Sequence, residues 1–424
     1  MFRLLLCCLH WHEAITRNSK FIIVHLNHMA WAIPLFLGLM GIEYLVARKT
    51  GKNYFGFSNT ISNINIGIAE RLLDTFTVGI FYFIYDYLHQ HFAIFDIKSG
   101  VLLWFTLLIL TDFIWYWYHR LAHEVNLLWA AHVVHHQSED FNYTVSGRIT
   151  VFQAFFRMAF WSVLPVIGFP AAMIISVQLV HGLYPFFIHT RTIGKLGILE
   201  YIFVTPSHHR VHHASNEKYL DQNYGDVFII WDKLFGTFTA EDEEPEYGLT
   251  KPLDSYSFLW QHFHFILEIL YTVRQTKGFQ ARWKVIFGKP DYIDPTIRPR
   301  LEKRFLSRNR QGGATGRLQH YVVWQVGAII TVLFFFLLLE NYVPAFVQVC
   351  ITLVILLTLI NTGAILEQRR WVFYLEYARL LVVFIALYYC WPYSFLLSAF
   401  AVVQLPFFLC RSTIERRYLR LLYG

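Results

Sequence analysis

Eight histidines in three short motifs are the residues of this sequence best suited to do chemistry. The motifs read His119-Arg-Leu-Ala-His123, His132-Val-Val-His135-His136 and His209-Arg-Val-His212-His213. On a helix, residues four apart lie on one face and residues three apart lie beside them, so the members of each motif are expected to project together. Neutral imidazole binds iron, zinc, copper and nickel. Eight such ligands are too many for one ion and fit two.

The kind of ligand narrows the choice of metal. Zinc takes about four ligands and would leave half of the histidines idle. Copper sites usually add cysteine or methionine, and none of the five cysteines lies near a histidine motif. Two irons held by histidines can reduce oxygen and oxidise a C–H bond. A metal transporter or sensor is the competing interpretation, but transporter sites lie near the middle of the bilayer.

Further polar residues are candidates for the same site. His189 lies alone at the end of an apolar stretch and is a candidate ninth ligand, whereas His208 faces away from its motif and is expected to support the ligands. Asp112 lies inside an apolar segment, where it could orient a ligand histidine or cap another buried donor. Possible acceptors for the outer ring nitrogens are Glu124, Glu139, Asp140, Asp226 and Asp232. His181 is expected to be buried without binding metal. Most of the histidines that are given no role, a set that includes His262 and His264, are expected to be solvated or interfacial.

The composition indicates a membrane protein. Of the 424 residues, 56% are hydrophobic and only 15% are charged, which is a low share for a soluble protein. The net charge of +7 does not predict a nucleic-acid partner, because basic residues collect on the cytoplasmic loops of membrane proteins. The cysteines lie in apolar stretches and predict neither disulfides nor a thiolate metal site.

The apolar segments predict an all-α, multi-span helical membrane protein with about nine spans. The segments are 29–47, 72–88, 101–118, a hairpin over 155–190, and four more near 321–339, 343–363, 372–390 and 393–410. We expect a leader of unknown role (1–28), a membrane di-iron hydroxylase domain (29–318) with a cytoplasmic helical cap (191–318), and a C-terminal four-helix membrane extension (319–424). The basic loops place all three motifs on the cytoplasmic face, in the endoplasmic reticulum of a eukaryote or the inner membrane of a bacterium.

The motifs and their surroundings resemble the fatty acid hydroxylase and sterol desaturase superfamily of membrane di-iron enzymes. That superfamily carries HxxxH, HxxHH and HxxHH motifs in this order, and Asn223-Tyr-Gly225 and Trp231-Asp-Lys-Leu-Phe-Gly-Thr237 also match it. Within the superfamily, the chain is most similar to the enzymes that cleave ether lipids. Ser146-Gly-Arg148 and the hairpin around His181 and Pro185 depart from that pattern, so these regions are expected to shape the substrate channel.

The resemblance implies a di-iron centre bound by the eight clustered histidines and completed by His189, and it implies that Glu124 is needed for catalysis. It also implies a monooxygenase that uses oxygen and tetrahydrobiopterin to hydroxylate the ether-linked carbon of an alkylglycerol taken from the bilayer. The hemiacetal product would separate into a fatty aldehyde and a glycerol. The alternative is a sterol or fatty-acyl hydroxylase or desaturase that receives electrons from a carrier protein.

Overall fold

The computed structural model describes residues 27–97, 100–306 and 315–424 of the chain. Extended segments pair in this described part only as two isolated bridges, Phe203 with Phe228 and Ala214 with Tyr247. The predicted all-α class is therefore confirmed. The α-helices are α1 (Ala32–Lys49), α2 (Phe57–Phe92), α3 (Val101–Glu124), α4 (Asn126–His136), α5 (Tyr143–Ser146), α6 (Gln153–Trp161), α7 (Val163–Ile167), α8 (Ala171–Ile188), α9 (Pro206–His212), α10 (Ile230–Phe235), α11 (Phe258–Gln275), α12 (Phe279–Phe287), α13 (Ile297–Phe305), α14 (Gly316–Leu338), α15 (Ala345–Leu366), α16 (Val372–Cys390) and α17 (Ser394–Tyr423).

Six helical segments in the described ranges are long and apolar enough to cross a membrane. They are Met29–Lys49, which is α1 with a preceding 3-10 turn, and α3, α8, α14, α15 and α16. Helix α17 is bent by 74° and adds a seventh if its two halves form one span. The multi-span membrane class is confirmed, but nine spans are not reached. The segment 72–88 lies within the 36-residue helix α2, which carries charged side chains, and the first half of the hairpin is divided between α6 and α7.

The described residues form two compact units. The histidine unit contains residues 39–255 and 259–306, and the C-terminal unit contains residues 27–38, 256–258 and 315–424. The domain boundaries expected at 28 and 318 stay predictions, and most of the predicted leader lies outside the described residues.

In the C-terminal unit, Glu376 on α16 accepts hydrogen bonds of 2.7 Å from both Tyr321 and Asn361, so this intramembrane carboxylate has polar partners.

The core of the histidine unit holds α3 and α8 together. Leu107 and Trp115 on α3 pack with Trp161 on α6 and Ile174 on α8, and the indole of Trp161 donates to the carbonyl of Thr111 at 3.2 Å. Both α3 and α8 run toward the histidine motifs, because α3 contains His119 near its C-terminal end and His189 directly follows α8. Two rigid apolar helices thus present their C-terminal ends at one place.

Candidate metal centre

The nine histidines converge into two groups in the histidine unit. In each group, one ring nitrogen of every member lies within 4.8 Å of the corresponding nitrogens of the others. All nine are buried except His123, which is partly buried. The five-histidine group contains His119, His123, His132, His136 and His212, and the four-histidine group contains His135, His189, His209 and His213.

Helical geometry divides the second and third motifs between the two groups. His132 and His136 on α4 are four residues apart and stay in one group, whereas His135 enters the other. Residues four apart differ by about 40° around a helix and residues three apart by about 60° in the opposite direction. The third motif follows the same rule, because His209 and His213 stay together while His212 joins the five-histidine group. The expectation that each motif projects as one set was therefore too simple.

The Nε2 atoms of the five-histidine group point toward one another. His132 Nε2 lies 3.0 Å from His119 Nε2 and 3.1 Å from His136 Nε2. The Nε2 atoms of His123 and His212 are buried without a hydrogen-bond partner. Five potential ligand atoms therefore face a shared interior. No protein group there donates hydrogen bonds to all five.

The four-histidine group has the same inward arrangement. His189 Nε2 lies 3.2 Å from His135 Nε2 and 3.0 Å from His209 Nε2. The Nε2 atom of His213 is buried and has no hydrogen-bond partner. The lone histidine at the end of α8 is thus central to this group, which matches its expected position as a ninth candidate ligand.

The outer nitrogens of the five-histidine group are held mainly by one short segment, residues 221–224. His119 Nδ1 donates to the carbonyl of Tyr224 at 2.8 Å, and His212 Nδ1 donates to the carbonyl of Gln222 at 3.0 Å. His123 Nδ1 lies 3.6 Å from the carboxylate of Asp221. Three rings of one group therefore take their orientation from four consecutive residues.

An unusual backbone makes this segment possible. Asp221 and Asn223 have φ angles of 58° and 55°, in the left-handed region that non-glycine residues seldom adopt. The side chain of Asn223 secures the turn, because it donates to the carbonyls of His208 (3.1 Å) and Thr239 (2.7 Å) and accepts from the Thr239 amide. Backbone strain that is held in place by surrounding bonds is typical of functional sites.

Other parts of the chain hold three further outer nitrogens. His135 Nδ1 donates to the carbonyl of Arg148 at 3.1 Å, and His189 Nδ1 donates to the carbonyl of Pro185 at 2.5 Å. His132 Nδ1 donates to the amide oxygen of Gln153 at 3.1 Å. His209 differs, because its Nδ1 is buried without a hydrogen-bond partner.

These hydrogen bonds test whether the residues fit a metal. A carbonyl oxygen only accepts, so the Nδ1 atoms of His135 and His189 carry the proton and a neutral ring keeps a lone pair on Nε2. Two such lone pairs 3.2 Å apart repel each other unless a cation lies between them. Nitrogens bound at right angles about 2.1 Å from one ion are about 3.0 Å apart, which matches the observed spacings. Each group therefore fits one metal ion.

Burial keeps these rings neutral. It lowers the pKa of His132 to about 3 and that of His189 to about 4. The pKa values of His135, His212 and His213 are held well below the usual range, first by burial and then by repulsion from neighbouring imidazoles. Neutral imidazole is the form that binds metals.

The residues expected to assist the histidines lie farther out. Glu124 pairs with Arg120 at 3.0 Å and is 35% exposed, so its carboxylate faces Arg120. The ring of His208 accepts from the Thr205 amide at 3.4 Å and caps the start of α9. His208 thus supports the helix that carries the third motif.

Asp112 and Asp226 do not orient a ligand histidine through any described contact. The two carboxylates flank His181, which lies 2.9 Å from each, and Asp112 also accepts from the backbone amide of Val227 at 2.9 Å. Asp112 lies seven residues before His119, or about 10 Å lower along α3. Of the two roles considered for Asp112, capping other buried donors is the one that its contacts fit.

Several structural partners of the site carried little signal in the sequence. The acceptors of most outer nitrogens are backbone carbonyls, which any residue type provides. Glu43 is an exception, because an acidic residue in an apolar span often has a functional role. It accepts from the Tyr143 amide at 2.7 Å and from the hydroxyl of Thr190. Two of the histidines to which the sequence assigned no role, His262 and His264, are buried on α11.

Comparison with known proteins agrees with the geometry. A family model described as fatty acid hydroxylase matches residues 104–237. The chain is 35% identical over 375 residues to the alkylglycerol monooxygenase of Homo sapiens, covering 85% of this chain and 82% of the relative, and 30% identical over 371 residues to that of Danio rerio, covering 83% and 80%. An ornithine lipid hydroxylase of Rhizobium tropici is 28% identical over 228 residues, covering 51% of this chain and 66% of the relative.

No solved structure matches the chain. The resemblance inferred from the histidine motifs is nevertheless confirmed by relatives aligned over most of its length. Together with the fatty acid hydroxylase match and the membrane helices, these alignments show that the chain belongs to the alkylglycerol monooxygenase family, a family of oxygen-dependent lipid monooxygenases.

Proposed function

We propose that this protein oxidises the ether-linked carbon of alkylglycerols and releases a fatty aldehyde. The single observation that carries the proposal is the convergence of nine imidazoles into two inward-facing groups. The names of relatives that cover more than four fifths of this chain supply the substrate class. The proposed ligands are the members of the two groups, with one iron in each group.

The proposed reaction balances with a two-electron donor. One oxygen molecule, two electrons and two protons convert the C–H bond beside the ether oxygen into C–OH and give one water. The hemiacetal then breaks its carbon–oxygen bond to the glycerol, giving an aldehyde and a free glycerol hydroxyl. Tetrahydrobiopterin is the proposed donor, because it can give up two electrons with two protons. Iron bound in the two groups would supply the redox chemistry that activates oxygen.

The protein's own residues hold the site rigid and dry. The carbonyls of Tyr224, Gln222, Arg148 and Pro185 fix the rings from outside, which maintains the tautomer that presents Nε2 inward. Burial of the rings excludes water from the interior of the site and strengthens electrostatic interactions there. We further place Glu124 among the residues needed for turnover; its ion pair with Arg120 lies in the last turn of α3, which also carries His123.

The membrane context of the proposal follows from the basic loops. We place the histidine groups on the cytoplasmic face, since Lys and Arg collect on that side. The alkylglycerol would come from the adjoining bilayer leaflet and oxygen from solution or lipid. If an electron-carrier protein replaced the pterin, the enzyme would instead be a sterol or fatty-acyl hydroxylase or desaturase.

The test combines metal and product analysis on protein purified in lipid nanodiscs. We expect two irons per chain and aldehyde release from an alkylglycerol only when oxygen and tetrahydrobiopterin are present. His212→Ala should lose both iron and turnover. His320→Ala is the matched control, since His320 is exposed on α14. Iron-replete protein that forms no aldehyde but hydroxylates a sterol or fatty acyl chain with a reduced carrier protein would overturn the proposal.

A further inference from the structure

Two segments of the histidine unit pack beside membrane helices at an unexpected depth. We call residues 198–204 and 226–235 the wedge; they belong to the polar stretch that the sequence places in a cytoplasmic cap. About 20 residues cross the hydrocarbon core, so a span that begins at Val101 would leave it near Arg120. Asp112 on α3 then lies about 12 Å inside the membrane.

Direct contacts fix the wedge at this depth. The carboxylate of Asp112 accepts from the amides of Val227 (2.9 Å) and Phe228 (3.2 Å) and from the indole of Trp231 (2.9 Å). The rings of Phe113 and Trp231 have their centres 5.0 Å apart. The wedge therefore meets the middle of α3 and not its cytoplasmic end.

Helix α8 holds the wedge from a second side. His181, about two turns before the end of α8, lies 2.9 Å from the carboxylate of Asp226. The hydroxyl of Tyr184 donates to the carbonyl of Val204 at 2.6 Å. Two independent helices thus place both segments of the wedge below the level of the histidine groups.

Several backbone amides of the wedge donate to protein acceptors, as a bilayer requires. Non-helical backbone is tolerated at membrane depth only where protein groups take its hydrogen bonds. The amide of Val204 donates to Val227 at 2.9 Å, and that of Ile229 donates to Ile202 at 3.0 Å. Asp112 accepts from the wedge amides and, with Asp226, contacts His181, so these polar side chains bind the wedge and one another at a depth where no ligand histidine lies.

The two sides of the wedge differ in how far their apolar side chains are exposed. Val204 and Ile229 face inward and are fully buried, whereas Ile198, Tyr201 and Leu234 face outward and are 82%, 72% and 69% exposed. The ammonium of Lys233 donates to the carbonyl of Tyr201 at 3.0 Å. Apolar side chains exposed together on one side mark a surface that contacts a protein or a membrane. The depth of the anchoring contacts identifies the membrane.

We propose that the wedge is embedded in the bilayer and that Ile198, Tyr201, Ile202 and Leu234 contact lipid acyl chains. A surface cavity of about 380 Å³ beside Tyr201 and His208 is lined by the charged side chains of Lys195, Glu200, Lys233 and Glu241, so the lipid contact is assigned to the apolar side chains and not to this cavity. The first wedge segment leads directly into α9, which carries part of the four-histidine group. The lipid contact of the wedge holds whichever lipid the enzyme oxidises, so its failure and that of the proposed substrate are separable.

Spin labels measure this depth without reference to activity. In full-length protein whose five cysteines are replaced by serine, single cysteines would be introduced as Ile198→Cys, Tyr201→Cys and Leu234→Cys. Glu217→Cys is the matched control at an exposed position outside the wedge. Each variant would be labelled in phosphatidylcholine nanodiscs, and retention of iron, or of secondary structure if no iron binds, would show that it is folded.

We expect labels at positions 198, 201 and 234 to be relaxed about tenfold more by lipid-soluble oxygen than by a polar nickel chelate, relative to the label at 217. Three separate positions keep the test informative if one variant fails to fold. Labels at 198 and 234 that respond to the nickel chelate as strongly as the label at 217 would overturn the proposal.

Discussion

The five-histidine and four-histidine groups share the second and third motifs but are held differently. Three rings of the five-histidine group depend on residues 221–224, a loop with two left-handed residues. The four-histidine group takes its acceptors from Pro185 in α8 and from Arg148, and one of its rings, His209, has no partner on its outer nitrogen. The acceptors of the first group therefore lie mainly in one loop, whereas those of the second lie in α8 and in the segment between α5 and α6.

The difference has a chemical consequence. An ion with fewer protein ligands keeps more positions for other ligands. The four-histidine group has one histidine fewer and contains His209, whose outer nitrogen is buried without a hydrogen-bond partner. We therefore expect it to be the more open and more easily emptied of the two metal positions.

Loss of one ligand from each group gives the largest expected effect. His135→Ala leaves three histidines in its group, whereas His212→Ala leaves four in the other. Both should abolish turnover, and His135→Ala should lose more iron because its group has fewer remaining ligands. Metal analysis of both variants beside His320→Ala checks this prediction. Equal iron content in the two variants would contradict the proposal that the four-histidine group loses its metal more easily.

Removal of the buried charge beneath the groups ranks second. Asp112→Ala leaves three wedge donors without an acceptor and removes one of the two carboxylates beside His181, and breaking a buried ion pair costs about 3–5 kcal/mol. We expect a clear fall in thermal stability, measured in nanodiscs, with a smaller fall for Asp112→Asn, which keeps one acceptor oxygen. Unchanged stability of Asp112→Ala would show that the wedge is held by other contacts.

Loosening of the 221–224 loop should affect one group selectively. Asn223→Ala deletes three hydrogen bonds that secure the loop, and loss of such support typically weakens metal binding about 10–100-fold. Competition with a chelator should show one weakened and one normal metal position. Equal weakening of both positions would mean that the loop supports the whole centre and not only the five-histidine group.

The smallest effect is expected at Asp221. Its carboxylate lies 3.6 Å from His123 and is 69% exposed, and exposed ion pairs contribute little because water screens them. Asp221→Asn should change turnover and iron content less than about threefold. Steady-state kinetics and metal analysis provide the check, and a loss as large as that of Asn223→Ala would assign the carboxylate a direct role.

The sequence predicted much of the site because its residues lie in regular helices. The spacing of His119 and His123 places both on one face of a helix whatever that helix packs against. The helical period alone therefore predicted that the two belong to one group. The position of His189 at the end of an apolar stretch likewise followed from the length of a span. The placement of His135 in a different group from His132 did not follow, because it depends on which elements face α4.

The depth of the wedge and the groups that hold the histidine rings could not be predicted from the sequence pattern. Residues 226–235 include charged side chains and look like part of a polar cap, yet the amides of Val227 and Phe228 bind Asp112 in the middle of an apolar helix. The carbonyls of Tyr224 and Gln222 have no side-chain signal, since every residue carries one. Glu43 did carry a signal as an acid in an apolar span, but its partners are more than 90 residues away in the chain.

Local periodicity and composition by themselves determined the helical membrane class, the histidine motifs and the family to which they point, since these properties depend on neighbours within one helical turn or one span. Tertiary structure alone decided the division into five and four ligands, the carbonyls that fix the rings and the depth of the wedge. Those features arise where segments far apart in the chain meet, and the energy of such a meeting depends on packing and hydrogen bonding that no single segment encodes.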